Sequence, residues 1–367
     1  MSPERPSITG IGSVSPFGPL RGLVGRKKAE PRTVTAWPTD GLRRAFLVSP
    51  FRPAEVVPGL KTRRLDRLSV WCLVAAALAI EDARLDLKGK DLNGEDRSRI
   101  AVVFGTGFGC LELTEAFLQS VAANGYAGSD PIVFPETLTN APAAHVARVF
   151  GLRGPNVTLS HKGLSGEGAL MQAASLLRSG QAELAIVLAG DTLTRSIYDW
   201  FEAAALLSRA AFDPASVPAP FSPSGDGFVP GESVTAVVME SAPRARSRGA
   251  QVYAAYRSGF AAADPKAGAF VARRALGDSS PADVRMVISS ANGSRTLDQI
   301  ESAAIREVFG AETPVIAPKA FLGESDSVGI LRLIAALSWT ENSARPLAVL
   351  LGTSAAGGCA ALSFELP

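Results

Sequence analysis

Two histidines, His145 and His161, and three cysteines, Cys72, Cys110 and Cys359, are the whole stock of imidazole and thiol in this chain of 367 residues. A mechanism that needs two imidazoles must use both. A His-rich metal site is excluded, and three cysteines this far apart do not fit a closed zinc site of ordinary spacing. No metal and no cofactor is expected. The segment with the most chemical promise is Gly154-Pro-Asn-Val-Thr-Leu-Ser-His-Lys-Gly-Leu-Ser-Gly-Glu-Gly168. It reads as a strand through Leu159, a tight turn, and a helix from about Ser165 to Arg178. A residue at such a turn sits at a helix N-terminus, where the macrodipole stabilises a thiolate or an oxyanion. The turn offers Gly163, which has no side chain. Ser165 is the nearest hydroxyl, and His161 lies four residues before it. Glu167 stands where a Gly-x-Ser-x-Gly elbow needs its last glycine. Ser165 therefore reads first as a helix N-cap. It reads second as the nucleophile of a hydrolase or acyltransferase, with His161 and a carboxylate such as Glu167 or Glu324.

The elements that must position these residues follow from hydrophobic patterning. Residues 99–104 and 183–188 are continuous apolar runs, as in strands covered on both faces of an α/β fold. Residues 65–85 carry alanine and leucine at helical spacing. The second half repeats the grammar: a strand at 284–288, a turn at Asn292-Gly293, helices at 298–309 and 329–339, and a hairpin of 347–351 with 360–366 around Gly357-Gly358. Two similar α/β halves are expected, 1–245 and 246–367, meeting near residues 243–250.

Composition narrows the function classes. With 47% hydrophobic and 20% charged residues the chain can bury a large core. Lys and Arg number 37 against 35 Asp and Glu, a net charge of +2, which gives no electrostatic footprint for nucleic acid or an anionic membrane. The longest apolar run, 70–80, is too short to cross a bilayer. The N-terminus lacks the basic-then-apolar pattern of a signal peptide. An odd number of scattered cysteines argues against a disulfide framework. A cytoplasmic, reducing compartment is expected.

Taken in order, several short motifs resemble the β-ketoacyl synthases. They are Ile8-Thr-Gly-Ile-Gly-Ser-Val-Ser-Pro-Phe-Gly18, Arg63-Arg-Leu-Asp-Arg67, Gly105-Thr-Gly-Phe-Gly109, Pro135 with Asn140, and Gly151-Leu-Arg-Gly-Pro-Asn156. Ser208, Pro220-Phe221, Gly225-Asp-Gly-Phe-Val229, Gly231-Glu232, Lys319 and Gly357-Gly358 follow. The resemblance runs nearly end to end. It implies a thiolase-like five-layer αβαβα fold of two related halves, and chain extension on a carrier protein.

The reactive residues do not carry over with the frame. Counted from Gly154-Pro155, the family's nucleophilic cysteine falls on Gly163. Its Asn-Ala-His-Gly-Thr reads here Ser290-Ala-Asn-Gly-Ser294, which puts Asn292 at the first histidine. Its Lys-Ser-x-x-Gly-His reads Lys319-Ala-Phe-Leu-Gly-Glu324, which keeps Lys319 and puts Glu324 at the second. Asp298 and Glu301 fit the family's acidic turn. A glycine cannot hold a growing chain as a thioester. Two imidazole donors normally stabilise the enolate of decarboxylation; Asn292 could donate once, and an ionised Glu324 would repel it. The resemblance thus implies a degenerate, chain-length-factor type of subunit. It would pair with an active ketosynthase and shape its acyl tunnel, in an aryl-polyene or other type II polyketide setting, with acyl-carrier protein as the second partner. A homodimeric carrier-binding scaffold is the alternative. On that reading Cys110, Leu113 and Phe117, with Thr114 beside them, face the partner. Phe108 and Phe117 plug the tunnel, unless the same spacing marks a plain core stripe. Ala356 stands where the family has a gating phenylalanine.

Overall fold

The computed structural model describes the chain except residues 1–4, 26–27, 36–40, 86–95, 217 and 340–342. Among these residues one continuous sheet has eleven strands, ten of them in two sets of five. The first set is β1 (Ser7–Ser15), β2 (Ile100–Gly105), β3 (Asn156–Leu159), β4 (Leu184–Asp191) and β5 (Ser233–Glu240), in spatial order β3-β2-β4-β5-β1. The second is β6 (Ala254–Ala262), β7 (Val284–Ile288), β8 (Val315–Ile316), β9 (Leu347–Thr353) and β10 (Cys359–Glu365), in order β8-β7-β9-β10-β6. Both sets follow the same path: third, second, fourth, fifth, first. They join where β1 pairs antiparallel with β6, Ser7 opposite Ala255 and Ile8 opposite Ala254. A short strand, Gly18–Arg21, turns back on β1.

Strand alternation shows why these runs take this architecture. In β2, Ala101 and Val103 face a central core, while Ile100, Val102 and Phe104 face an outer one. In β9, Ala348 and Leu350 face the same central core, and Leu347, Val349 and Leu351 face a third. Period-2 side chains that are apolar on both sides demand cover on both faces. The central layer is α4 (Ser165–Arg178) with α8 (Gly329–Leu337). Outside the first set lie α1 (Arg67–Asp82) and α3 (Ala141–Phe150). Outside the second lie α6 (Gly268–Leu276) and α7 (Arg295–Phe309). This is the five-layer thiolase-like arrangement.

Two more helices border the site, α2 (Leu111–Asn124) and α5 (Arg195–Ala203). Asp66 fixes where α1 begins, two residues inside the span expected from periodicity: its carboxylate accepts from the Leu68 N–H at 2.8 Å. The same carboxylate accepts from the Leu113 N–H at 3.1 Å and so ties α2 to α1. No helix among the described residues is long and apolar enough to cross a membrane.

Candidate functional site

The turn between β3 and α4 forms as its sequence suggests, and Gly105 lets it form where it does. A Cβ on Gly105 would lie 2.1 Å from the Ser165 carbonyl, so the head of α4 rests directly on the end of β2. Lys162, within the turn, holds a left-handed φ of 49°. A long side chain in that region is unusual, and such residues gather at functional sites.

Above the turn is a cavity of about 810 Å³. Gly163, Asn292, Lys319 and Glu324, distant in sequence, all line it, as do Phe108 and Ala356. Among the described residues no thiol and no imidazole does. In their place Lys319 and Glu324 form a buried ion pair, with Nζ 2.7 Å from each carboxylate oxygen. The Asn292 amide donates to the same carboxylate, and its carbonyl accepts from the Ser294 N–H at 2.9 Å. This cluster satisfies itself: the carboxylate is fully engaged by donors, which is how a buried charge is tolerated. At the vacated nucleophile position, a Cβ on Gly163 would meet Ser354 Oγ at 3.0 Å.

The acidic residues of α7 position Asn292. Asp298 accepts from the N–H groups of Asn292 and Gly293 at 3.0 Å each, and from Phe221 at 2.8 Å. Burial pushes its carboxyl up, against the pull of those three donors. Glu301 accepts from the Ser290 N–H at 2.7 Å and from the Ser289 hydroxyl at 2.5 Å.

The hydrolase reading is corrected by the geometry. Ser165 is the first residue of α4 rather than its N-cap, which is Leu164. Its hydroxyl donates to the carbonyls of Lys162 at 2.8 Å or Thr106 at 3.0 Å, and accepts from the His161 N–H at 3.0 Å. The His161 ring turns instead towards Gly168, where a Cβ would come within 2.8 Å of Nδ1. Glu167 pairs with Arg332 inside the central layer. Ser165, His161 and a carboxylate therefore do not assemble. A fluorophosphonate probe should leave the chain unlabelled by intact mass; an adduct on Ser165 would revive that reading.

The remaining candidates divide. Phe108 is held at the cavity wall by Asp191, which accepts from its N–H at 3.0 Å, and meets Phe201 edge-on at 6.3 Å between centroids. Cys110 is buried at the N-cap of α2, and burial pushes its thiol up. Leu113, Thr114 and Phe117 lie away from the cavity on α2, a helix with no buried residue; Phe117 packs on Phe134 at 5.8 Å. Along the Cys110, Leu113, Phe117 spacing only Cys110 is fully buried; Leu113 and Phe117 are half-buried. His145 bridges Glu136 at 2.6 Å and Arg148 at 2.9 Å, far from a packing role alone. Lys162 and Asp326 are among the lining residues that sequence reasoning did not single out. The signal was present in both: a lysine beside the vacated position, and a second acid two residues after Glu324.

Among the described residues the cavity thus presents no thiol and no imidazole, an amide held towards a closed ion pair, and an open apolar wall. The comparisons with known proteins place the frame around it. The family model described as "Beta-ketoacyl synthase, N-terminal domain" matches residues 21–245, and the "Beta-ketoacyl synthase, C-terminal domain" matches 244–347. The chain is 30% identical over 346 residues to 3-oxoacyl-[acyl-carrier-protein] synthase I, chloroplastic, of Arabidopsis thaliana, covering 87% of this chain and 72% of that protein. Among solved structures, the ishigamide ketosynthase/chain length factor superposes with a TM-score of 0.85 at 22% identity, over 99% of each chain. The AntDE:AntF complex, a type II PKS acyl-carrier protein with its ketosynthase, gives 0.84 at 21% identity over 100% of each. With both halves of the family model matched in sequence and the fold matched end to end, this chain belongs to the β-ketoacyl synthase family.

Proposed function

We propose that this chain is a non-condensing, chain-length-factor type of subunit. It pairs with an active β-ketoacyl synthase and shapes that partner's acyl tunnel during polyketide or fatty-acid-like elongation on acyl-carrier protein. The observation that carries the reading is the closed Lys319–Glu324–Asn292 cluster beside a glycine, where acyl transfer would need a thiolate and enolate formation would need donors. A satisfied carboxylate pointing into the space of a developing enolate opposes the chemistry rather than merely failing to assist it.

The surface supports a partner. α2 buries none of its side chains, and the segment that follows leaves Tyr126 at 88%, Ile132 at 57% and Phe134 at 53% exposed. An apolar tract of this kind on a monomer marks a contact surface. Among the described residues, β3 ends its sheet with no strand on its far side, an edge open to pairing. A carrier protein belongs to the proposal because a ketosynthase of the same fold has been solved with its own.

Co-expression with an intact synthase from the same gene neighbourhood should yield a 1:1 complex by gel filtration and native mass. The chain alone should aggregate or associate weakly. A well-behaved homodimer that ignores the synthase but binds carrier protein would replace this reading with a scaffold.

A further inference from the structure

The outer face of α7 carries positive charge that the chain does not neutralise. Arg295, Gln299, Ser302 and Arg306 recur at i, i+4, i+7 and i+11, so they form one stripe along the helix. The stripe lines a cavity of about 350 Å³, whose facing wall is the segment Phe221-Ser222-Pro223. Asp298 ties the two walls together by accepting from the Phe221 N–H at 2.8 Å. No described residue forms a hydrogen bond or ion pair with the side chains of Arg295, Gln299, Ser302 or Arg306. A carboxylate on the same helix would reach an arginine from three or four residues away. At that spacing Arg295 has Gln299, and Arg306 has Ser302, Ala303, Phe309 and Gly310, all uncharged. Asp298 also stands three residues after Arg295, but it is buried and spends its oxygens on the N–H groups of Asn292, Gly293 and Phe221. Arg273 on neighbouring α6 is the contrast, since Glu307 meets it at 2.8 Å.

We propose that this groove binds a small soluble bisphosphate, one phosphate on Arg295 and the other on Arg306, with Gln299 and Ser302 hydrogen-bonding to the ligand between them. The arginines are set about 16 Å apart along the helix axis, at 1.5 Å per residue. Two separated anionic groups therefore fit them better than one compact anion. Each guanidinium can take a phosphate through two parallel N–H···O bonds. Phe221, Pro223 and Ala303 give the linker an apolar wall. The volume lies at the lower end of small-molecule sites, which suits a short linker.

The groove is independent of subunit pairing and of condensation, so the full chain, alone or in its complex, serves for the test. Calorimetry at low ionic strength compares hexanediol bisphosphate, hexyl phosphate, inorganic phosphate and hexanediol. The bisphosphate should bind 1:1 and at least tenfold tighter than hexyl phosphate or inorganic phosphate, and hexanediol should not bind. Arg295→Gln and Arg306→Gln should each bring the bisphosphate down to the level of hexyl phosphate, and the double variant should lose saturable binding of both. Arg295 also borders the larger cavity, whereas Arg306 does not, so the Arg306→Gln result assigns the effect to the groove. Arg246→Gln, at an exposed arginine outside the groove, should change nothing. All these arginines are exposed, and thermal melting confirms that the variants stay folded. Equal affinity for the bisphosphate and either monophosphate, an Arg306→Gln variant without effect, an equal loss in Arg246→Gln, or no saturable binding would each overturn the proposal.

Discussion

Arg332→Met should destabilise the chain by about 3–5 kcal/mol, because it strands a buried carboxylate. Arg332 lies on α8 and Glu167 on α4, the two helices of the central layer, and their side chains are 1% and 0% exposed. The guanidinium donates to Glu167 and, through Nη1, to the Leu351 carbonyl at 2.8 Å. Glycines make the space: a Cβ on Gly352 would come 2.7 Å from Glu167 Oε1, and one on Gly329 would also clash with the carboxylate. The pair is nevertheless incomplete. Glu167 Oε2 and Arg332 Nε have no hydrogen-bond partner, so it recovers its desolvation cost only in part. Replacing both partners with apolar side chains should therefore cost far less than replacing one. Urea denaturation of Arg332→Met and of the double variant Glu167→Met/Arg332→Met measures this. A large midpoint loss in the single and its substantial recovery in the double is expected, with the m-value unchanged. Equal losses in both would mean that side-chain volume, not charge, governs the central layer.

That ion pair also marks the limit of what sequence can say about this fold. Strands such as β2, β4 and β7 were legible because strands buried on both faces have no polar interruption. α4 was legible because its helical spacing starts cleanly at Ser165. β6 was not: Ala-Ala-Tyr-Arg-Ser-Gly-Phe-Ala-Ala has neither an apolar run nor alternation, and it is a strand because β1 and β10 flank it. α5 and α6 also escaped notice, carrying polar and basic residues on exposed faces with short buried stripes. Glu167 drew attention as a carboxylate near Ser165, yet its partner lies 165 residues away. Arg332, the lone charge of an otherwise apolar helix, was the available sign, since such charges are buried in pairs or not at all.

The centre was more legible than its surroundings. Gly163, Asn292, Lys319 and Glu324 were named from motif position, and they meet at one cavity. What motif position could not give was the bonding among them. Asn292 reads in sequence as a free hydrogen-bond donor for an enolate. In the fold its amide is committed to Glu324 and its carbonyl to the Ser294 N–H. The frame thus keeps the turn, the acidic brace of α7 and the lysine, and spends them on a neutral polar cluster. Phe108 similarly keeps its place by way of Asp191, while Leu113, Thr114 and Phe117 lie half-buried on α2 and Cys110 is buried at its N-cap.

Carbon–carbon bond formation by the chain alone should lie at least about 10⁴-fold below that of an intact synthase, the scale of losing a nucleophile that acts as part of a unit. Single repairs should stay silent for separate physical reasons. Gly163→Cys supplies a thiol, but its Cβ crowds Ser354 Oγ at 3.0 Å, and the enolate still faces Glu324. Asn292→His removes the donor to Glu324 without removing the carboxylate. Glu324→His takes the partner from Lys319, 6% exposed, and leaves a buried ammonium beside an imidazole that it will keep neutral. Only Gly163→Cys/Asn292→His/Glu324→His together places a nucleophile and two donors around the same space. The triple variant should retain an acyl group detectable by intact mass after incubation with acyl-carrier thioester, and should exceed every single variant in condensation by about 10³-fold or more. Stability, followed by thermal melting, separates a silent variant from an unfolded one. Acylation of the unaltered chain, free of any synthase, would show that the centre is not empty and would end the non-condensing reading.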